Sequence, residues 1–262
     1  MNALEAEKRS SDPVTEDLFL GDALSVVQPR SGYRAGTDAV LLAATLEPNS
    51  AHGGPVLDVG SGVGVVGLCV AARCPGTKVV LFEREPQLAE LARLNVEKNG
   101  LAMRVSVVEG DLARASGALD LAGIPSETFA HVLANPPYHE EGRSTAAGNQ
   151  LRAASHQMAP DALDTWARFM NRMAAPGGRA AMIHKAEALP RILSAFATRF
   201  GAISVLPIHA RSSEPAIRVI VSGIKGSRAP ISIKPGIVLH GPDQAFRPEI
   251  EAVFRHGAAL PT

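Results

Sequence analysis

The chain has little of what several classes of protein depend on. Only two of its 262 residues are cysteine, and Cys69 and Cys74 stand five apart around one expected helix and its end. That spacing suits neither a zinc site nor a disulfide framework, so a reducing, cytoplasmic setting and no metal are expected. No apolar run approaches the ~18 residues that a membrane span requires, so no membrane partner is expected. The first residues mix Glu5, Glu7, Lys8 and Arg9 with no apolar stretch behind them, unlike a secretory leader. Aromatic residues make up 4% with a single Trp, so no multi-base stacking surface is evident. Trp166 and Phe169 stand at helical spacing and read as core. The formal net charge is zero, which argues against a dedicated duplex-DNA binder without excluding RNA.

What is present is enough for one large domain: 46% of the residues are hydrophobic. Charge is unevenly placed. Residues 1–140 carry 11 basic and 18 acidic side chains, and residues 141–262 carry 15 and 8. The basic half could steer a polyanion toward a site at the junction, although ordinary solvated faces account for such an asymmetry equally well.

Residues 1–35 read as a polar extension and a short hairpin, Leu18-Phe19-Leu20 and Leu24 to Gln28 around Gly21-Asp22. A helix is expected from Ala39 to Leu46, with Thr37-Asp38 as its N-terminal cap. Strands and helices then alternate, as in a mostly parallel sheet covered on both faces. The strands are Val56–Val59, Lys78–Glu83, Val105–Val108, Phe129–Ala134 and Arg179–His184. The helices are Val63–Arg73, Pro86–Asn99 with its inward stripe of Leu88, Leu91, Ala92 and Val96, Asp161–Ala174 ended by Pro176-Gly177-Gly178, and Ala186 to about Phe200. Ile203–Leu206 and Ile217–Val221 close the order. Residues 36–240 thus form the main domain, and 241–262 a C-terminal tail.

Two motifs carry chemistry. In Asp58-Val59-Gly60-Ser61-Gly62-Val63-Gly64, glycines permit close backbone approach at a strand end, where open sheets bind their ligands. The Gly-Lys-Ser/Thr of a phosphate-binding loop is absent. An acid before the turn opposes a pyrophosphate and suits the ammonium end of S-adenosyl-L-methionine. Glu83, 25 residues after Asp58, is placed to accept from ribose hydroxyls. Asp111 is placed to hold an adenine amino group. Singly, each acid reads as well as a solvated loop residue. The second motif, Asn135-Pro136-Pro137-Tyr138, puts an amide carbonyl, a proline-fixed carbonyl and an aromatic face at another strand end. That set suits an amino or amide nitrogen awaiting an electrophile; a plain turn is the alternative.

Taken with Tyr33-Arg34-Ala35-Gly36-Thr37-Asp38, these motifs in this order resemble the bacterial tRNA adenine-N6 methyltransferases that act on the anticodon loop of a valine tRNA. The resemblance runs from about Asp17 to about His240. It implies a Rossmann-like class I methyltransferase fold, a seven-stranded, mostly parallel sheet with helices on both faces and a late strand inserted antiparallel. It also implies S-adenosyl-L-methionine as cofactor and RNA as substrate. Cofactor contacts fall on Thr37, Asp38, Asp58, Gly60, Ser61, Gly62, Glu83, Asp111 and Asn135. Catalysis falls on Asn135, Pro136 and Tyr138, and substrate contacts on Pro137, Tyr138, His139, Arg143 and Arg152. The Asn-Pro-Pro-Tyr motif is shared by enzymes acting on other amino or amide nitrogens, including those of protein glutamine, so a non-nucleic-acid acceptor stays open, as does a small-molecule hydroxyl. The polar stretch from His139 to Ala159 is expected to cover the substrate. Oligomeric state is left open.

Overall fold

The computed structural model describes residues 13–31, 34–48, 54–114, 123–140, 157–158 and 162–261, with the side chains of 139, 140, 157, 158 and 162 left aside. The chain opens with an antiparallel hairpin, β1 (Val14–Phe19) and β2 (Leu24–Pro29), followed by helix α1 (Thr37–Ala43). Strand β3 (Val56–Val59), buried at every position, begins the sheet. Then come α2 (Val65–Arg73), β4 (Val79–Glu83), α3 (Pro86–Lys98), β5 (Val105–Glu109) and β6 (Phe129–Ala134). A short parallel pair joins β7 (His139–Glu140) to β8 (Gln157–Met158). Helix α4 (Ala162–Met173), β9 (Ala174–Lys185), α5 (Leu189–Ala197), β10 (Phe200–His209) and β11 (Ala216–Lys225) complete the main order.

The seven principal strands run β10-β11-β9-β6-β3-β4-β5, with β11 antiparallel to both its neighbours and β3, β4, β5, β6 and β9 mutually parallel. This is the class I methyltransferase sheet. Two short strands, β12 (Ser232–Ile233) and β13 (Ile237–Val238), add parallel to the β10 edge and shield it. Continuous apolar runs form the central strands because both faces are covered. One face packs on α1, α2 and α3, and the other on α4 and α5.

Close packing has a glycine at its centre. A Cβ on Gly67 of α2 would run into the Leu81 side chain and lie 3.0 Å from Val79 Cγ1, so the helix reaches β4 only because position 67 is bare.

The hairpin is attached through side chains that imitate a strand. Asn95 Oδ1 accepts the Val27 N–H at 2.7 Å while its Nδ2 donates to the Val27 carbonyl at 3.0 Å. Asn99 does the same for Ser25, at 2.9 and 2.8 Å. The spacing works because one helical turn of four residues rises about 6 Å, close to the about 6.7 Å between alternate strand residues. Asn95 Nδ2 also donates to the Val63 carbonyl at 3.1 Å, which ties the hairpin to the glycine-rich turn.

Two expectations are corrected. Gly36, not Thr37-Asp38, occupies the cap position of α1, and no side chain caps it, because the Asp38 carboxylate is engaged elsewhere. Pro176-Gly177-Gly178 does not separate helix from strand: β9 already begins at Ala174. Gly177 takes φ +77°, and a Cβ on Gly178 would sit 2.8 Å from the Phe129 carbonyl, so these residues bend a strand start against β6. The tail at 241–262 contains helix α6 (Pro248–His256), whose Ile250 and Val253 are fully buried. Arg73 holds this segment, donating from Nε to the Gly257 carbonyl at 2.8 Å, from one terminal nitrogen to the Ala43 carbonyl at 2.5 Å, and from the other to the Ala258 carbonyl at 3.1 Å.

Among the described residues, no helix is long and apolar enough to cross a membrane, and no group of three or more His, Cys, Asp or Glu side chains could hold a metal ion. Cys69 and Cys74 are both buried and unbridged.

Candidate active site

Register alone brings the two motifs together. Val59 pairs with Phe82 on one side and with Ala134 on the other, and Ala134 pairs with Met182. Neighbouring strands lie about 4.8 Å apart, so Gly60, Glu83 and Asn135 leave adjacent strands at one level. The chain order reverses between β3 and β6, which makes this edge the switch point where open sheets take their ligands.

On the β3–β5 side the turn is built from backbone. Gly60, Gly62 and Gly64 have φ of +62°, +58° and +95°. A Cβ on Gly60 would run into the Trp166 indole, so this glycine is required by conformation and by space. Trp166 and Phe169 are buried in the core beneath. Glu83 braces the turn: Oε2 accepts the Gly62 N–H at 2.7 Å, and Oε1 accepts those of Arg84 at 2.8 Å and Glu85 at 2.9 Å. Burial pushes the Glu83 carboxyl above its ordinary value, against the pull of these three amides. A carboxylate offers about four lone-pair sites, so these three amides leave one unused.

Asp58 lies under α2 rather than at the mouth of the turn. It is 1% exposed, and its Oδ2 accepts the Gly67 N–H at 2.9 Å. Burial raises its pKa to about 7, with the Gly67 amide opposing and the nearby Glu83 charge adding to the rise. Ser61 Oγ is buried with no hydrogen-bond partner among the described residues. Such an orphan in a glycine turn at a strand end suits a polar ligand group. Asp111 follows β5 and uses Oδ1 to accept the Ala113 N–H at 2.9 Å. Thr37 is exposed at the start of α1.

The β6–β9 side is built from side chains instead. Tyr138 Oη lies 2.8 Å from Asn135 Oδ1 and 2.7 Å from Asp38 Oδ2. Arg218, from β11, donates from Nε to the same Asp38 oxygen at 2.8 Å and carries its guanidinium carbon 4.9 Å from the Tyr138 ring centroid. His184, at the end of β9, meets Tyr138 edge-on with ring centroids 4.9 Å apart. Burial, then the Asp38 charge, push the Tyr138 hydroxyl above its ordinary value, so it stays protonated. Burial lowers His184 to about 4, which keeps it neutral, and its Nδ1 has no hydrogen-bond partner among the described residues.

The structure therefore brings Asp38, Gly60, Ser61, Gly62, Glu83, Asn135 and Tyr138 to one sheet edge. Pro136 and Pro137 lie between Asn135 and Tyr138 in the same turn. Only the backbone of His139 is described, and Arg143 and Arg152 fall outside the described residues, as does most of the expected covering stretch. Two neighbours of the site were missed in the sequence. Arg218 is a charge inside the apolar run Ile217–Val221, and His184 is the polar residue ending Ala180-Ala181-Met182-Ile183. A polar residue that interrupts or terminates a buried strand at its ligand-binding end was the available signal.

Comparison with known proteins decides the family. The family model described as "Methyltransferase small domain" matches residues 32–162, half of the chain. The chain belongs to this family. A crystal structure of a predicted O-methyltransferase from Agrobacterium tumefaciens is 31% identical, covering 85% of this chain and 97% of that one, with a TM-score of 0.69. A protein of Porphyromonas gingivalis named tRNA1(Val) (adenine(37)-N6)-methyltransferase is 28% identical over 169 residues, 64% of each chain. The same name is carried by a Shewanella amazonensis protein, 34% identical over 111 residues, 42% of this chain and 44% of that one. The chain thus matches less than two thirds of the length of these curated relatives. A 16S rRNA N2 G1207 methyltransferase solved with AdoMet and guanosine shares the fold, at 18% identity and a TM-score of 0.54 over 81% of this chain and 50% of that one. The chain carries a methyltransferase domain, and the cofactor of that domain is S-adenosylmethionine. The positive-φ glycine turn, the unused lone pair on Glu83 and the orphaned Ser61 hydroxyl fit that cofactor.

Proposed function

We propose that the protein methylates an exocyclic amino nitrogen, N6 of an adenine in tRNA. The observation that carries this reading is the register of β3 and β6, which sets the Asn135-Pro136-Pro137-Tyr138 turn one strand away from the glycine turn. In this reading Ser61, Gly62, Glu83 and Asp111 hold the cofactor, Asp58 stiffens the turn through Gly67, and Thr37 borders the methionine end. Bound S-adenosylmethionine supplies an electrophilic methyl group on a sulfonium.

The adenine amine is a weak nucleophile because its lone pair is delocalised into the ring. Asn135 Oδ1 and the Pro136 carbonyl each accept one amine hydrogen, which draws the nitrogen toward tetrahedral geometry and frees the lone pair. Two prolines hold the backbone of this turn, so its carbonyl is aimed before substrate arrives. A base on Tyr138 takes the ring face that Arg218 does not cover and leaves its neighbours to do so, gaining ~1–3 kcal/mol from stacking. His184 offers a neutral ring nitrogen beside it. Most of the acceleration comes from holding two reactants in line and excluding water. His139, Arg143 and Arg152, with the basic half of the chain, would meet RNA phosphates.

A second reading, transfer to a hydroxyl of a small molecule, rests on the printed name of the Agrobacterium relative. An oxygen acceptor has no use for two facing carbonyls, which disfavours it. The test is to incubate the purified protein with labelled cofactor and separate RNA, protein and metabolite fractions. Label in tRNA that digests to N6-methyladenosine supports the proposal; label confined to protein or metabolites refutes it.

A further inference from the structure

The amide at the heart of this site poses a problem that its neighbours solve. Tyr138 has one hydroxyl hydrogen, yet two oxygens, Asp38 Oδ2 at 2.7 Å and Asn135 Oδ1 at 2.8 Å, face it. Asp38 is paired with Arg218 at 2.8 Å and can only accept. A hydrogen bond to an ionised carboxylate is about twice as strong as one to a neutral amide, so Asp38 takes the hydrogen. What faces Tyr138 from position 135 must then donate.

The nitrogen and oxygen of an asparagine amide are assigned from their hydrogen bonds, and here the bonds require the opposite assignment. We propose that Arg218, Asp38 and Tyr138 form a relay that turns the Asn135 amide so its NH2 donates to the Tyr138 hydroxyl, leaving Oδ1 as the end presented to the acceptor amine. The inference rests on the amino-nitrogen reading above and deepens it by naming Asp38 and Arg218 as positioning residues.

Polarity runs one way along the relay. The Arg218 guanidinium donates to Asp38, Asp38 accepts the Tyr138 hydrogen, and the Tyr138 lone pairs fix the amide. The remaining end of the Asn135 amide has no hydrogen-bond partner among the described residues, so it is the end open to a ligand. Were the relay reversed, Tyr138 would donate to Asn135 Oδ1, and a lone pair would face the Asp38 carboxylate at 2.7 Å. The amide would then offer NH2 to a substrate NH2, donor against donor. Arg218, Asp38 and Tyr138 therefore decide together whether the site accepts amine hydrogens at all. This gives Asp38 a role distinct from the contact to the methionine end expected from sequence.

Neutron diffraction of the deuterated protein reads the relay directly and needs no substrate. The deuterium of Tyr138 should point to Asp38, and the ND2 of Asn135 should face Tyr138. Deuterium directed at Asn135 Oδ1 would overturn the inference whether or not tRNA is the substrate. Kinetics supply the second test. Asp38→Ala and Tyr138→Phe should each lower kcat by roughly 100-fold, the cost of a misaimed group, with unchanged cofactor Kd. The double variant should be no slower than Tyr138→Phe alone, because Asp38 acts through that hydroxyl. Losses that multiply, or a weakened cofactor Kd in Asp38→Ala, would show Asp38 acting on the cofactor and not through Tyr138. Should the wild type label no RNA, the proposed substrate fails and the neutron result still decides the relay.

Discussion

The two halves of the site solve the same problem, holding polar groups at a buried sheet edge, with different materials. On the β3–β5 side, carboxylates are held by backbone: Glu83 by three amides and Asp58 by the Gly67 amide. On the β6–β9 side, Asn135 is held by side chains that converge from α1 and β11, with Asp38 and Arg218 lying 180 residues apart. A backbone cradle is local in sequence and insensitive to most substitutions except those of its glycines. A side-chain relay is assembled by the whole fold, and a single atom changes its polarity. The first construction suits a cofactor that is always the same. The second suits an acceptor whose reacting group must be recognised.

The largest separation between the halves should come from Asn135→Ala. Transfer should fall by at least ~100-fold, as for loss of one preorganised polar group at a reacting centre, while cofactor affinity measured by calorimetry stays within about twofold. A comparable loss of cofactor affinity would merge the halves into one unit.

Gly60→Ala strikes the other half. A side chain there takes a left-handed φ, costing about 1–2 kcal/mol, and overpacks against Trp166, costing about 1–3 kcal/mol more. Urea denaturation should show an unfolding free energy lower by that combined amount, and cofactor binding should be lost. A stable, cofactor-binding Gly60→Ala protein would mean that the turn is not backed by Trp166.

The pH dependence of stability sharpens the same contrast. The pKa of Asp58 is raised from 3.8 to about 7 in the folded protein, so the fold holds a proton that the unfolded chain releases. The stability this confers is present at low pH and is lost as pH rises through the window up to about 7. Wild type and Asp58→Asn should therefore differ in unfolding free energy by an amount that changes between pH 5 and pH 8. Parallel curves across that range would contradict the buried placement of this carboxyl.

Smaller still is the hairpin anchor. Asn99→Ala leaves the Ser25 N–H and carbonyl without their partner and should cost about 1–3 kcal/mol. The exposed Arg255–Glu251 pair on α6, by contrast, should contribute no more than about 0.5 kcal/mol when Arg255 is replaced by Ala.

The difference in construction also explains what could be read from the chain. The strands from Val56 to Ala134 announce themselves as apolar runs, and the glycine turn and Asn135-Pro136-Pro137-Tyr138 are contiguous. Asp58, by contrast, was legible as an acid before the turn but not as one facing inward to Gly67. That orientation depends on α2 packing against β4, which only the folded chain defines. Asn95 is buried beside Ala92 and Val96 of the expected stripe, and the sequence offers no local reason for it; its partners, Val27 and Val63, are 68 and 32 residues away. Pro176-Gly177-Gly178 has the composition of a break and yet lies within a strand, because Ala174 and Arg179 on either side of it pair with Phe129 and His131 of β6. Helix α6 is short, and its inward positions Ile250 and Val253 make a weak signal until α1 is seen to cover them.

The most direct test of two halves meeting at one strand end is a crystal structure with S-adenosylhomocysteine. The account predicts the ligand against Gly60, Ser61 and Gly62, with its ribose on Glu83 and its sulfur facing the Asn135-Pro136-Pro137-Tyr138 turn. A ligand seated elsewhere, or a sulfur directed away from Asn135, would contradict it.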